Sequence, residues 1–466
     1  MIKKSNLQLK NSVCLLIYNR FFSLLLIGIL FLSVDCHLKA ASFLSLPEAI
    51  QEALSKSEEV LLLKEKEKRF TAVKREAWSG AFPEFSLSAS AGRGGMALDP
   101  SSFPIPGGGG ALDIFNIEQD RYSYAIQVTQ PVFTFGRLGQ AIKIAGLQDR
   151  ADKASRWRSK QLLQLQVVDV FYGVVTARAR LGILEASIKR QRETVSFLET
   201  NFRLGAGLRS NVLLAVSALK ALEPQRIRAE RDAEAARMIL NRLLGRPIDA
   251  PVNPETKTRL ELVRMVAVPD SQMIQTILNG RPDLQSLLLQ KKSLESTARF
   301  FKMLYLPALG AQARWGITAF EPEQLNDLEK NREWQVGLGL SWTLFDGLGK
   351  LAKAQQFASD ARSIALAERQ MRKLLHIEIQ SAYREYEAAD TALSAAQQSF
   401  KAAQEAQTLL SEEFRAGKGQ LTDLLAAEQG LLEAEFGVLA ARYQQIRSQA
   451  ALQVALGKDL IKEEGP

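Results

Sequence analysis

Two periods of apolar residues alternate along this 466-residue chain. From residue 45 the spacing is helical. Ala49, Ile50, Ala53, Leu54, Leu61 and Leu62 recur every three or four positions and Pro47 suits a first turn, so a helix is predicted from Ser45 to near Gly80. At Pro83 the period drops to two: Phe85, Leu87, Ala89 and Ala91 alternate with Glu84, Ser86, Ser88 and Ser90. That is a strand with one apolar and one small polar face. Tyr122, Tyr124, Ile126 and Val128 resume the alternation, which makes a hairpin across the loop Gly92 to Asp120. The four glycines in that loop, Gly107 to Gly110, lack the strand-to-helix context of a phosphate cradle and read as a flexible connection. Helical spacing then returns for about 67 residues without proline, Phe135 to Phe202. At 1.5 Å per residue this is a rod of roughly 100 Å.

The whole order is written twice. FRLGAGLRSNVLLAVS, Phe202 to Ser217, and FRAGKGQLTDLLAAEQ, Phe414 to Gln429, lie 212 residues apart. The same offset matches Phe133 with Phe345, Leu181 with Leu393 and Gly245 with Gly457. Upstream it becomes 224, matching Ile50 with Ile274, Leu54 with Leu278 and Pro83 with Pro307, so one insertion of twelve residues between Gly92 and Tyr122 reconciles the halves. The chain reads as a tandem duplication. Its second hairpin alternates at Leu309 to Trp315 and Trp334 to Trp342, giving four strands per chain.

Each rod ends in a turn with two glycines, Gly205 and Gly207 or Gly417 and Gly419, where a helix must stop and reverse. Ser210-Asn211 and Thr422-Asp423 are expected to cap the helices that follow. Val167, Val170, Val174, Ala177, Leu181, Leu184 and Ile188 form a coiled-coil seam on the first rod. The second carries two seams, one through Ala389, Leu393 and Phe400 and one through Ala388, Ala392, Ala395, Ser399, Ala402 and Ala406. Two apolar edges suit a wall or closed ring of helices. Pro224 should kink or split the helix after the first turn.

Boundaries follow from these patterns: a leader at 1–41, a first repeat at 42–245, a linker with four prolines at 246–270, a second repeat at 271–457 and a charged tail at 458–466. In the leader, Lys3, Lys4, Lys10 and Arg20 precede the apolar run Phe21 to Leu32 and the small residues Ala40 and Ala41, the order of a secretory signal. An uncleaved anchor and lipidation at Cys36 are the competing readings. Cys14, Cys36 and His37 all fall in or beside this segment, so a chain cleaved near Ala41 keeps no cysteine and one histidine, His376. Thiolate metal sites and cysteine nucleophiles are then excluded, and His376 alone on a helix is structural. Without the leader the net charge falls to about +5, spread along the chain, and KEKEKR at Lys64 to Arg69 is a solvated helix face. Nothing resembles a nucleic-acid footprint.

A four-stranded sheet with an apolar face and open edges cannot stand alone in lipid, because its edge N–H and C=O groups lack partners. Closure must come from several chains, around a lumen of Gly, Ser, Gln and Arg. Phe85, Tyr122, Trp315, Trp334 and Trp342 would then form interfacial girdles; packing within a soluble sheet is the alternative.

With these elements in place the chain resembles the TolC-like outer-membrane efflux proteins. The resemblance rests on the duplication, the junctions VFTFG at Val132 and LFDGLG at Leu344, the glycine turns, and the closing LLG and ALG at Gly245 and Gly457. It implies an α+β membrane protein, a homotrimer that pools four strands per chain into a twelve-stranded β-barrel over a periplasmic α-barrel of long coiled-coil helices. It implies an outer-membrane exit duct of a tripartite efflux pump or type I secretion system, with outer-membrane lipid around it and a periplasmic adaptor and inner-membrane transporter as partners. Gly205, Gly207, Gly417, Lys418 and Gly419 match the tips that adaptors touch. Asp423 matches a carboxylate that lines the constriction, where three copies would repel anions and attract cations; an acid favoured by the helix dipole is the plainer reading. Phe414 stands where relatives carry a hydroxylated aromatic, Gly419 where they carry a base, Ala426 where they carry a second acid, and the other turn carries Asn211. The entrance is therefore expected to be held by packing with few polar links. No cofactor, metal or catalytic group is expected, since no nucleophile–base pair or metal cluster is present. A periplasmic coiled-coil scaffold without a pore is the alternative of a different class.

Overall fold

The computed structural model describes residues 43–97, 116–255, 270–327 and 329–461. The expected leader with Cys36, the Gly107 to Gly110 run, residues 256–269 of the linker and the last five residues lie outside these.

A two-residue strand β1 (Phe43–Leu44) leads into α1 (Leu46–Lys56), which opens with a capping box between Ser45 and Glu48. The single helix predicted to Gly80 is in fact two. Ser57, buried and extended, ends α1 and caps α2 (Glu58–Ser79) by accepting from the Val60 amide at 3.3 Å. Strands β2 (Glu84–Ala97) and β3 (Asn116–Phe133) follow, longer than the alternation alone indicates, then α3 (Arg137–Arg203) and α4 (Arg209–Leu244). After β4 (Asn253–Pro254), paired parallel with β1, the order recurs: α5 (Ser271–Gly280), α6 (Pro282–Met303), β5 (Ala308–Ala319), β6 (Arg332–Ser341), α7 (Gly349–Arg415) and α8 (Leu421–Ala455). The rods α3 and α7 are both 67 residues long, and α2 and α6 both 22.

Pro224 does not split α4, which is one continuous helix. The proline sits on an exposed edge, where water can take up the carbonyl its missing N–H leaves free, while buried Leu222 and Ala229 hold the helix on either side.

The four long strands form one antiparallel sheet in the order β2-β3-β5-β6. At each strand-to-rod junction two consecutive residues are left-handed, Phe135 and Gly136 at φ 50° and 82°, then Gly347 and Leu348 at φ 67° and 66°. One residue of each pair is not glycine, so the backbone accepts strain there to turn strand into helix. Below the sheet α2, α3, α6 and α7 lie side by side, and further down the row is α4, α3, α8, α7. The main core sits midway, where Leu46, Ile50, Phe171, Leu240 and Leu244 are buried together. Toward the turns it thins to helix seams, first Leu184, Ile188, Leu222 and Leu432, then Val195, Leu198, Ala215 and Leu421.

Candidate functional site

The sheet sorts its side chains by period two into two unlike faces. One row in register is Leu87, Ile126, Trp315 and Trp334; the next is Phe85, Val128, Ala313 and Val336. Phe85, Leu87, Ile126, Trp315, Trp334, Val336, Leu338 and Leu340 are all exposed. The opposite face presents rows such as Ser86, Gln127, Arg314 and Gln335. Phe85 and Trp334 lie near strand ends and Trp342 just past β6, where its indole N–H donates to the Tyr305 carbonyl at 2.8 Å. Tyr122 and Trp315 sit inside their strands instead. Beyond the Ala91–Tyr122 pair the apolar face stops at an ion pair, Arg93 with Asp120 at 3.6 Å.

At the far end of the rods both turns follow one plan. Gly205 and Gly417 are left-handed at φ 75° and 76°, which glycine adopts freely. The Ala206 amide donates to the Asn201 carbonyl at 2.9 Å, and the Lys418 amide to Glu413 at 2.8 Å, closing each helix with the same six-residue bond. A Cβ on Gly207 would lie 3.1 Å from the Phe202 nitrogen, and one on Gly419 would lie 3.0 Å from that of Phe414. A side chain at either position would crowd the backbone where it doubles back. The expected side-chain caps are not made. Leu208 and Gln420 occupy the N-caps without a side-chain bond, and Ser210, Asn211, Thr422 and Asp423 fall inside the first turns. Asp423 is exposed, with the Thr422 hydroxyl 3.5 Å away, and Asn211 is half-buried. Phe414 packs edge-to-face on Phe197, ring centres 6.0 Å apart, and joins the seam cluster of Val195, Leu198 and Leu421.

The expectation of few polar links overlooks a clasp close to the tips. Arg190 on α3 donates to Glu428 at 3.1 Å and to Glu435 at 3.4 Å on α8, and Gln407 on α7 donates to the other Glu428 oxygen at 2.8 Å. It ties three helices together and leaves Glu428 only 4 % exposed. Burial pushes the Glu435 carboxyl above the usual range, against the pull of Arg190. The signal was in the sequence: Glu428 interrupts the apolar stripe of Leu425 and Leu432 on α8.

A second polar cluster lies at the mid-molecule core. Arg281, fully buried, donates to Asp283 at 2.6 Å, to Glu378 at 3.2 Å and to the Ala455 carbonyl at 2.6 Å. Arg158 donates to the Val454 carbonyl at 3.0 Å and to Glu378 at 3.3 Å. Two guanidiniums thus meet the C-terminal end of α8, the negative pole of its dipole. Burial would raise the Asp283 carboxyl, but hydrogen bonds and charge from Arg281, with help from Arg158, hold it below its ordinary value. Among the described residues there is no cluster of three His, Cys, Asp or Glu suited to a metal, and no helix is long and apolar enough to cross a membrane.

The chain is similar to the alkaline protease secretion protein AprF of Pseudomonas aeruginosa, at 22 % identity over 341 residues, covering 73 % of this chain and 70 % of that protein. Its fold is similar to that of the Campylobacter jejuni CmeC outer membrane channel, with a TM-score of 0.76 at 17 % identity over 90 % of this chain and 87 % of that one. The open state of the Neisseria gonorrhoeae MtrE outer membrane channel matches with a TM-score of 0.72 at 18 % identity, over 90 % and 91 % of the two chains. The family model described as outer membrane efflux protein matches residues 49–246 and 273–458, and the chain belongs to that family.

Proposed function

We propose that this chain is one subunit of a homotrimeric exit duct, which conducts cargo passively through the outer membrane from a periplasmic adaptor and inner-membrane transporter. The observation that carries the reading is the exposed apolar face of a sheet whose two outer strands have no partner among the described residues. Strands β2 and β6 are the free edges, and because direction alternates from β2 to β6, a β6 laid beside the β2 of another copy is again antiparallel. The helices have matching free edges. On the β2 side these are α2 and α4; on the other side α7 exposes its seam of Ala388, Ala392, Ala395, Ser399, Ala402 and Ala406. One lateral contact between copies therefore covers sheet and rods together, and a closed ring leaves no edge in lipid. Three copies, the number the family resemblance implies, give a twelve-stranded barrel over a helical tunnel.

The equal lengths of α3 and α7, and of α2 and α6, support descent from a tandem duplication. Between Trp334 and Trp342 the apolar face of β6 carries only Val336, Leu338 and Leu340. The eight steps from Trp334 to Trp342 span ~26 Å of strand, or roughly 20 Å of height at a tilt of ~40°, close to the apolar band of a membrane barrel. Phe85 and Trp342 mark its helix-side boundary, and Tyr122, Trp315 and Trp334 its outer one. At the other end Asp423 lines the constriction, with Asn211 on the neighbouring turn and Phe414 packed behind it, and the glycine turns with Lys418 meet the adaptor.

Protein export is the second reading of the cargo, favoured by the similarity to a protease secretion protein. The test is a cysteine at Lys418 in otherwise intact cells, a short cross-linker, and mass spectrometry of what is captured. A periplasmic adaptor supports the duct, and its own transporter separates efflux from secretion. Absence of an adaptor adduct from trimers in the outer membrane would reject the tip assignment, and a soluble, non-trimeric product would reject the duct.

A further inference from the structure

The two strand-to-rod junctions share a backbone turn but not their side chains. At the second junction Lys350 Nζ lies 5.3 Å from the centre of the Tyr305 ring, and Lys353 Nζ, one turn further along α7, lies 5.6 Å from that of Phe301. Phe301 stacks on Phe357 at 5.2 Å, the Tyr305 hydroxyl donates to Asp346 at 2.8 Å, and the Tyr305 carbonyl takes the Trp342 indole N–H. Lys302 stands exposed on α6, next in the chain to Phe301. The equivalent positions of the first repeat hold Leu138 for Lys350, Ala141 for Lys353, Ala77 for Phe301, Trp78 for Lys302 and Ala81 for Tyr305. That junction makes the same left-handed turn without them, so the turn does not require the cluster.

Nor does the cluster balance its own charge. There is no acid between Ala298 and Leu306 or between Gly349 and Phe357. Asp346, which lies between them, is engaged by Tyr305 and by the Lys350 backbone N–H at 3.1 Å. Lys350 Nζ donates to the Leu304 carbonyl at 3.4 Å, which leaves two of its three N–H groups free to donate again. Among the described residues none of Lys302, Lys350 and Lys353 has an ion-pair partner. The dipole of α6 favours Lys302 in its last turn, but Lys350 and Lys353 stand at the opposite pole, the start of α7, where a helix favours anions. The rings beneath them hold both lysines in place. Because they lean on Phe301 of α6 and on Tyr305 just past it, they turn away from the edge of α7 that a neighbouring copy would cover.

We propose that Lys302, Lys350 and Lys353 bind the phosphate of an anionic phospholipid in the periplasm-facing leaflet, at a fixed headgroup site that the first repeat lacks. This rests on the exit-duct reading, which puts Trp342 at the helix-side edge of the lipid. The headgroup region adds roughly 5–8 Å to each side of the hydrocarbon, and the turn of helix from Lys350 to Lys353 descends ~4.5 Å, so both ammonium groups fall within it. The acyl chains lie along Leu338, Leu340 and Trp342 on the apolar face, while the lysines meet the phosphate oxygens as point charges with N–H groups to donate. A bound headgroup then pins the junction of sheet and rods at one depth in the membrane.

The test uses the full-length protein, purified as its assembly in detergent, with native mass spectrometry to follow binding of phosphatidylglycerol and, separately, of phosphatidylcholine with the same acyl chains. The unmodified assembly is expected to bind phosphatidylglycerol about tenfold tighter. Lys302→Gln/Lys350→Gln/Lys353→Gln should weaken phosphatidylglycerol about tenfold and leave phosphatidylcholine unchanged, with oligomer mass and bilayer conductance intact. Lys302→Arg/Lys350→Arg/Lys353→Arg should keep the preference, and so should Lys189→Gln/Lys220→Gln/Lys418→Gln, which removes as much charge from the rods far from the sheet. A preference that survives the first glutamine variant, or that falls equally in the second, overturns the site. Displacement of phosphatidylglycerol by inorganic phosphate at equal concentration would make this a site for the free anion and overturn the lipid as its occupant. Loss of the assembly in the first glutamine variant gives the lysines to subunit contact and overturns the headgroup role. Equal binding of the two lipids with conductance intact sinks the headgroup site alone, whereas absence of conductance from the unmodified protein sinks the duct reading beneath it.

Discussion

Glu428 is a residue whose surroundings are costly to disturb. Its carboxylate is almost wholly buried among α3, α7 and α8, held by one arginine and one glutamine. Arg190→Met would strand that charge. Breaking a fully buried pair from one side costs about 3–5 kcal/mol, and because Arg190 keeps some contact with water about 1–3 kcal/mol is expected here. Glu428→Gln retains a polar partner for Gln407 and should cost less. Thermal unfolding of the purified assembly checks this; a larger loss for Glu428→Gln than for Arg190→Met would show that a stranded carboxylate is not the cause. Asp283 makes a complementary prediction in pH. Its folded carboxyl is held below the ordinary aspartate value, so its contribution is complete above the unfolded value, near 4, and is lost as pH falls through the folded one. Asp283→Asn should flatten the fall in melting temperature below about pH 4. An unchanged slope would assign acid sensitivity to other groups. These two clusters differ in legibility. Glu428 breaks a visible apolar stripe, whereas Arg281-Pro282-Asp283 does not announce a buried guanidinium, because the partners that bury it beyond Asp283 come from α7 and the end of α8.

At the scale of elements, the turns were legible because two independent signals coincide there: a helical period that stops, and glycines at a fixed offset. The breaks that depend on context were not. Ser57 divides α1 from α2 although the apolar period runs through it, and Pro224 leaves α4 whole although propensity argues for a break. At Pro224 tertiary packing outweighs a local preference of about 3 kcal/mol, whereas at Ser57 the cap itself favours the break by about 1 kcal/mol. The expected caps failed for a related reason. Backbone bonds from Ala206 and Lys418 already close the reversal, and the following helix has its N-cap at Leu208 or Gln420, ahead of the serine or threonine. The two glycines of each turn should therefore differ in what they tolerate. Gly417→Ala meets open space and carries only the left-handed penalty, about 1–2 kcal/mol. Gly419→Ala places a methyl 3.0 Å from the Phe414 amide, against backbone that must give by a few tenths of an ångström. Limited proteolysis is expected to cut Gly419→Ala at the tip faster than Gly417→Ala, with sheet and mid-molecule core intact. Equal cleavage would mean that the close backbone approach is not what fixes the reversal.

At the scale of the molecule, the open edges among the described residues lie on two sides. Strand β2 with α2 and α4 forms one side, β6 with α7 the other, and α3, α6 and α8 are enclosed between them. An exposed apolar sheet with two bare edges is unstable both in water and in lipid, for want of burial in the first and of hydrogen-bond partners in the second. Lateral closure removes both defects at once and preserves antiparallel order at every seam. It follows that the edges can be tested without knowing the cargo. A chain with cysteines at Ser88 on β2 and Gly337 on β6, both on the polar face, should give dimers and trimers on a denaturing gel after treatment with a short bifunctional cross-linker. Each single-cysteine chain should stay monomeric, because like edges do not meet around a ring. The same chain with Leu338→Arg, a charge in the middle of the lipid face, should lose about 2–4 kcal/mol in membrane stability and fail to reach the trimer. Dimers from one cysteine alone would place like edges together and exclude a closed ring. Full cross-linking with Leu338→Arg in place would mean that this face does not lie in lipid.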